Sequence, residues 1–354
     1  MKLFACQACG NVLYFENRSC TRCGHRLGFM PERVTLSSLE PDGERFASLA
    51  DKGRGRAFCA NAAHDVCNWL VEPESGELYC RACRHNGIVP DLSNSDHFAR
   101  WRELEIAKHR LFYSLIRLRL PVQTRAEDPA RGLIFNFLAD DPGQRVMTGH
   151  DNGLITIALT EADDIEREKR RLEMGEPYRT LLGHFRHEVG HYFWDVLVRD
   201  GGKLDACRAM FGDDTIDYAE ALQRHYAEGP HADWQESFVS AYSAAHPFED
   251  FAETWAHYLH IVDTLEMASA FGIEVHPVAD RLGGLSARIA FDPYEADNFD
   301  AIVNAWLPFT FAMNSINRAM GTRDLYPFVL SPAVIEKLRF IHQLVQGVAG
   351  AGKG

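Results

Sequence analysis

Apolar positions along this chain change period several times. From Asp96 onward Phe98, Trp101, Leu104, Ile106, His109, Phe112, Leu115 and Leu118 recur at steps of about three to four, the repeat of a helix that buries one stripe. Ser93 or Ser95 is placed to cap it and Pro121 to stop it, so residues 93–121 are predicted to form a helix connecting two halves. Two runs rich in β-formers follow, at 133–138 and 154–159, separated by the turn sequences DDPGQ and GHDNG. A charged helix is expected over 161–172, a break at Gly175-Glu176-Pro177, and a second helix over about 178–198 that Gly201 and Gly202 stop. The remainder to residue 346 reads as mainly helical, and 347–354 as a frayed tail. Upstream, residues 1–30 are short and Gly-punctuated. Residues 31–56, with Pro31, Pro41, several glycines and mixed charge, read as a linker or loosely packed loop.

Composition narrows the class. With 354 residues, 46% hydrophobic and 25% charged, the chain is an ordinary globular sequence of about two domains, which excludes fibrous and fully disordered readings. No apolar run approaches the ~18 residues of a membrane span, so no membrane association is expected. The net charge of -13 lies entirely beyond residue 100, since the first 100 residues hold 12 basic and 12 acidic side chains. An acidic body argues against nucleic acid as a partner, while the charge-neutral N-terminal part leaves that question open for itself. The chain reaches a cysteine pair within ten residues, with no apolar leader, and a reducing, cytoplasmic setting is expected.

Eight of the nine cysteines fall between Cys6 and Cys83. In a reducing compartment such clustering points to metal. Cys6-x2-Cys9 and Cys20-x2-Cys23 are two knuckles flanking a short, alternating segment, and four thiolates match the tetrahedral, soft-ligand preference of zinc. The second group is Cys59, Cys67, Cys80 and Cys83. Its first half is stretched and encloses His64, an alternative ligand, and exchange of ligands between the groups as a cross-brace is also open. Both groups are expected to be structural zinc sites supplying much of the folding free energy of the first 92 residues.

The other chemical signal is His187-Glu188-Val189-Gly190-His191 inside the second predicted helix. Histidines four apart face one side of a helix and can share a metal. Glu188 is placed beside them to take a proton from a water on that metal and pass it to a leaving amine. Apolar Phe185, Val189, Phe193 and Val196 supply the buried side, and Gly190 lets another segment approach closely. A third ligand is required. The best source is the stretch 246–258, where Pro247 suits a helix start and Glu249 and Glu253 share one face of a largely apolar helix. Buried carboxylates need a metal or a hydrogen-bond partner. Glu249 is assigned as ligand and Glu253 as acceptor for a ligand histidine's N–H, the reverse assignment remaining open. His184 shares roughly the face of His187. His231, His246, His257 and His260 read as structural, and Cys207 as a buried apolar residue.

These residues carry a resemblance. His187-Glu188-x-x-His191 followed by Glu249-x-x-x-Glu253 resembles the gluzincin metallopeptidases, and the EDFAE stretch is similar to the corresponding EFFAE stretch in the catalytic domain of anthrax lethal factor. That likeness implies a role for Tyr242, seven residues before Glu249, in stabilising the oxyanion. No NExxxD motif stands here, which argues against a thermolysin-type assignment. Nearly the whole chain resembles a bacterial family of zinc-binding metallopeptidases with an N-terminal zinc ribbon.

The expectation is therefore an α+β protein. Residues 1–92 form a tandem zinc-ribbon-like module, 93–121 the connecting helix, 122–346 a mainly helical zincin-type domain with a small sheet, and 347–354 a flexible tail. The activity expected is zinc-dependent hydrolysis of a peptide or protein substrate, with one catalytic and two structural Zn2+ and a protein partner open to the ribbon module. The competing readings are a non-hydrolytic zinc-ribbon module that binds protein or nucleic acid on a zincin scaffold, and hydrolysis of a non-peptide amide or a peptide-like conjugate.

Overall fold

The computed structural model describes residues 1–141, 143–173 and 178–351. It divides into two compact units, residues 1–149 with 153–163, and residues 150–152 with 164–354. The helix at 93–121 and the two β-rich runs thus fall within the first unit.

In that unit a hairpin of β1 (Phe4–Ala5) and β2 (Val12–Leu13) precedes a five-stranded antiparallel sheet. The sheet runs in order β3 (Arg26–Met30), β4 (Thr35–Asp42), β5 (Arg45–Ser48), β6 (Arg54–Phe58) and β7 (Leu70–Val71). Residues 31–56 are therefore not the linker their composition suggests. Gly43 at φ +60° turns the chain between β4 and β5 and Gly53 at φ +81° turns it before β6, while Pro41 and Gly55 lie within β4 and β6. The intervening residues bury Leu36 and Leu39, and Met30, Leu39 and Leu70 form a core that Phe46 and Phe58 cover. Arg56 is buried among Asp51, Glu72 and Glu32 at 2.7, 2.8 and 2.9 Å, so mixed charge closes the sheet rather than solvating a loop.

Helix α1 spans Ser95–Arg117. Its cap is Asn94, whose side chain accepts from the N–H of Asp96 and His97, rather than either serine. Tyr113 of α1 meets Phe15 at 5.3 Å between ring centroids, and Phe29 packs on Phe15 at 4.9 Å and on Trp69 at 4.8 Å. This aromatic cluster joins the helix to the cysteine-bearing strands. Strands β8 (Ile134–Leu138) and β10 (Leu154–Ala158) pair in parallel, with the short β9 (Gly149–Asp151) at the division between the units.

The second unit is mainly helical. It contains α2 (Asp164–Glu173), α3 (Leu181–Phe193), α4 (Leu204–Phe211), α5 (Tyr218–Glu228), α6 (Pro247–Ala270), the two-residue strands β11 (Glu274–Val275) and β12 (Ala287–Arg288), α7 (Phe299–Ala319) and α8 (Pro332–Ala351). The predicted tail is helical up to Ala351, because Val345 and the apolar positions before it continue the stripe that α8 buries; residues 352–354 lie outside the described residues. The predicted break at 175–177 also lies outside them. Helix α3 is capped by Thr180, which accepts from Gly183 N–H, and passes into a wider π-type turn over Trp194–Arg199. Helix α6 starts with His246 as its cap and Pro247 in its first turn. Among the described residues no helix is long and apolar enough to cross a membrane.

Helices α3 and α6 form the centre of this unit. Phe193 stacks on Trp255 at 4.8 Å, and Arg186 pairs with Asp263 at 2.7 Å. Gly190 is what lets them touch. A Cβ at this position would stand 3.0 Å from Ala252 Cα, 3.2 Å from Ala252 O and 3.3 Å from Trp255 Cβ. Alanine would gain about 1 kcal/mol of helix propensity over glycine, but wedging apart two packed backbones costs about 1–3 kcal/mol. Gly190→Ala is expected to lower the urea midpoint of the second unit; a raised midpoint would show that the helices have room to spare.

Candidate metal centres

The cysteines gather as two separate groups of four, with no exchange between them. Cys6, Cys9, Cys20 and Cys23 form one, and Cys59, Cys67, Cys80 and Cys83 the other; within each, all sulfurs lie within 4.8 Å of one another. Measured separations are 3.6 Å for Cys6–Cys23, 3.6 Å for Cys9–Cys20 and 3.8 Å for Cys67–Cys80. A tetrahedron with zinc–sulfur bonds of about 2.3 Å has edges of about 3.8 Å, so both groups fit the ion. Donors are already aimed at the sulfurs. Trp69 N–H points to Cys67 Sγ and Cys80 N–H to Cys59 Sγ, each at 3.3 Å. Burial pushes the Cys6 thiol up, but the Ser38 hydroxyl and the Ala8 and Cys9 N–H groups outweigh it and bring it down to about 6.

His64 stands apart from the second group, its ring 6.1 Å from that of Trp101. Buried His85 uses Nδ1 on the Leu133 carbonyl at 2.8 Å. The spacing gave no sign of two other neighbours that α1 brings in. His109 Nε2 lies 3.6 Å from Cys83 Sγ, and Glu105, paired with buried Lys108 at 2.8 Å, lies 3.8 Å from the same sulfur.

The third group joins His187 and His191 of α3 to Glu249 of α6. Glu249 Oε2 lies 3.0 Å from His187 Nε2 and 3.6 Å from His191 Nε2. Two nitrogens and an oxygen around an ion bonded at about 2.0–2.2 Å stand about 3.3–3.5 Å apart, so the spacing fits zinc. The oxygen is buried and no hydrogen bond of good geometry reaches it, which is the condition of a buried anion awaiting a cation. Glu253 lies behind His187, with Oε1 2.7 Å from Nδ1, and Ser240 Oγ donates to its Oε2 at 2.7 Å. A carboxylate only accepts, so Nδ1 carries the hydrogen and Nε2 is left for Glu249 and a metal. The two acids therefore occupy different places: Glu249 faces the converging Nε2 atoms, and Glu253 the back of one ring.

Electrostatics match this placement. Burial works against a charged His187, yet Glu249 and Glu253 outweigh it and hold its pKa well above the usual range. Burial would raise both acids, but His191 and His187 hold Glu249 well below the usual carboxylate range, and His187, His257 and Ser240 bring Glu253 to about 2. A cation held at this point would supply the positive charge that a proton on Nε2 otherwise supplies. His191 is oriented by packing, with Phe248 stacked on it at 4.1 Å.

Glu188 is buried beside this group and makes no hydrogen bond or ion pair among the described residues. Tyr242 lies with its ring 6.0 Å from that of His187. Burial and the Glu249 charge push its phenol far above the usual value, so it stays protonated. Tyr218, which nothing near it in the chain marks, donates its O–H to Glu249 Oε1 at 2.5 Å. His184 stays outside the group, and His246 is the cap of α6. His257 bonds Tyr326 O–H through Nδ1 at 2.6 Å, and His260 faces Arg186 at 2.6 Å.

Comparison with known proteins bears on the same residues. Residues 97–344 match the family described as "Putative zinc-binding metallo-peptidase", and residues 3–94 match a zinc-ribbon domain. The chain is 42% identical over 350 residues, 99% of its length and 96% of theirs, to uncharacterized proteins of Mycobacterium bovis and Mycobacterium tuberculosis. No solved structure matches it. With His187, His191 and Glu249 converging in the matched region and two cysteine groups ahead of it, the chain belongs to this zinc-binding metallopeptidase family.

Proposed function

We propose that this protein is a zinc-dependent peptidase hydrolysing peptide bonds in a peptide or protein substrate. The observation that carries the reading is the unsatisfied Glu249 oxygen facing two imidazole nitrogens, with the unpaired Glu188 carboxylate beside them. His187, His191 and Glu249 would hold the ion. When bound, zinc supplies Lewis-acid polarisation of the scissile carbonyl and an acidified water. Glu188 takes the water's proton as general base and returns it to the leaving amine as general acid. Among the described residues no other side chain claims its oxygens. Glu253 holds the Nδ1 hydrogen of His187 and so keeps Nε2 directed at the site. Tyr242, kept protonated, offers its O–H to the oxyanion that develops on the substrate.

In this reading the two cysteine groups each hold a structural zinc, and the first unit is free to take a protein partner. The acidic charge disfavours nucleic acid, and reduced thiolates suit a cytoplasmic setting.

Elemental analysis of unchelated protein is expected to find three zinc ions per chain, and two in His187→Ala. A wild-type value of two that His187→Ala leaves unchanged would remove the third site from the reading. Glu188→Gln is expected to keep all three ions while losing peptide cleavage by at least about 100-fold, measured on a peptide library. A cellular role that survives this substitution would instead favour a binding protein on a zincin scaffold.

A further inference from the structure

A carboxylate that offers one oxygen to a metal must do something with the other. Glu249 is buried at the start of α6, and its Oε2 is the oxygen facing His187 and His191. An Oε1 left without a donor at this depth would cost free energy, or would turn inward and make the carboxylate bidentate. The donor present is Tyr218, at 2.5 Å.

Tyr218 is built to stay there. Asp217 caps α5 by accepting from Glu220 N–H, which fixes Tyr218 in the first turn. Its ring meets His246 edge-on at 5.2 Å and Phe248 at 6.5 Å. These are the cap residue of α6 and the residue before Glu249, so the ring is wedged against the turn that carries the ligand. Phe248 in turn stacks on His191. One aromatic pair thus orients two of the three ligands, one through a hydrogen bond and one through stacking.

We infer that Tyr218 is a positioning residue for the metal, holding Glu249 in a one-oxygen mode, and that the two tyrosines at the site divide the work: Tyr218 serves the ligand and Tyr242 the substrate. The inference rests on the assignment of His187, His191 and Glu249 as zinc ligands but not on the identity of the substrate. Removing such a partner weakens metal binding about 10–100-fold.

The test is Tyr218→Phe, which keeps the ring and its packing, titrated with a zinc chelator while zinc per chain is counted. The third zinc is expected to leave at about 10–100-fold lower chelator strength than in wild type, with the two cysteine-bound ions and the thermal midpoint unaffected. The zinc concentration for half-maximal hydrolysis should rise in parallel. Tyr242→Phe should retain zinc like wild type and lose cleavage. Unchanged zinc retention in Tyr218→Phe overturns the inference, as does a loss of cleavage without any change in retention, which would place Tyr218 on the substrate. Failure of the peptidase reading is separate: wild type would hold three ions and cut nothing, while the retention comparison still decides the role of Tyr218.

Discussion

Everything at the third candidate metal centre depends on how closely α3 and α6 approach. The two imidazoles come from one helix and the carboxylate from the other, and a carboxylate side chain is too short to bridge helices held apart by ordinary side chains. Gly190 removes the obstacle inside the ligand motif itself, where a Cβ would stand 3.0 Å from Ala252 Cα. The approach is locked on one side by Phe193 stacked on Trp255, and on the other by the buried pair Arg186–Asp263. The fully buried Asp250, next to Glu249, is tied to Lys337 of α8 at 2.6 Å, which fixes the first turn of α6 from behind. A glycine that costs helix stability is thus offset by the packing it permits.

The same shortage of room makes charge the organising quantity. His187 lies between two carboxylates, which together favour its charged form against the effect of burial. Proton and metal compete for one lone pair, and the surrounding groups are disposed for the charged outcome either way. Among the described residues Glu188 makes no hydrogen bond or ion pair with this network.

The first unit solves a different problem. Beside its apolar core it buries most of two cysteine groups and an arginine held by three acids, polar groups that need partners to be buried at all. The aromatic cluster of Phe15, Phe29, Trp69 and Tyr113 ties α1 to this frame, and α1 carries His109 and Glu105 to the second cysteine group.

Motifs whose members sit on one element or one turn could be read from the chain alone. The four-residue repeat of His187 and His191 and the paired cysteine knuckles encode their geometry through backbone periodicity, and Glu249 and Glu253 share a helix face for the same reason. The hairpins of 31–56 are not legible in the chain, because glycine, proline and charge mean a turn or a linker equally until the buried Leu36, Leu39 and Arg56 show that partners exist across the sheet. What only tertiary structure decided is which partner each group meets: that Glu249 faces the Nε2 atoms of His187 and His191 and Glu253 the back of His187, that Tyr218 of α5 reaches Glu249 from 31 residues away, and that His109 and Glu105 lie against Cys83. A spacing in the chain specifies direction within a helix or turn, whereas hydrogen bonds between elements depend on packing angles to which many distant residues contribute.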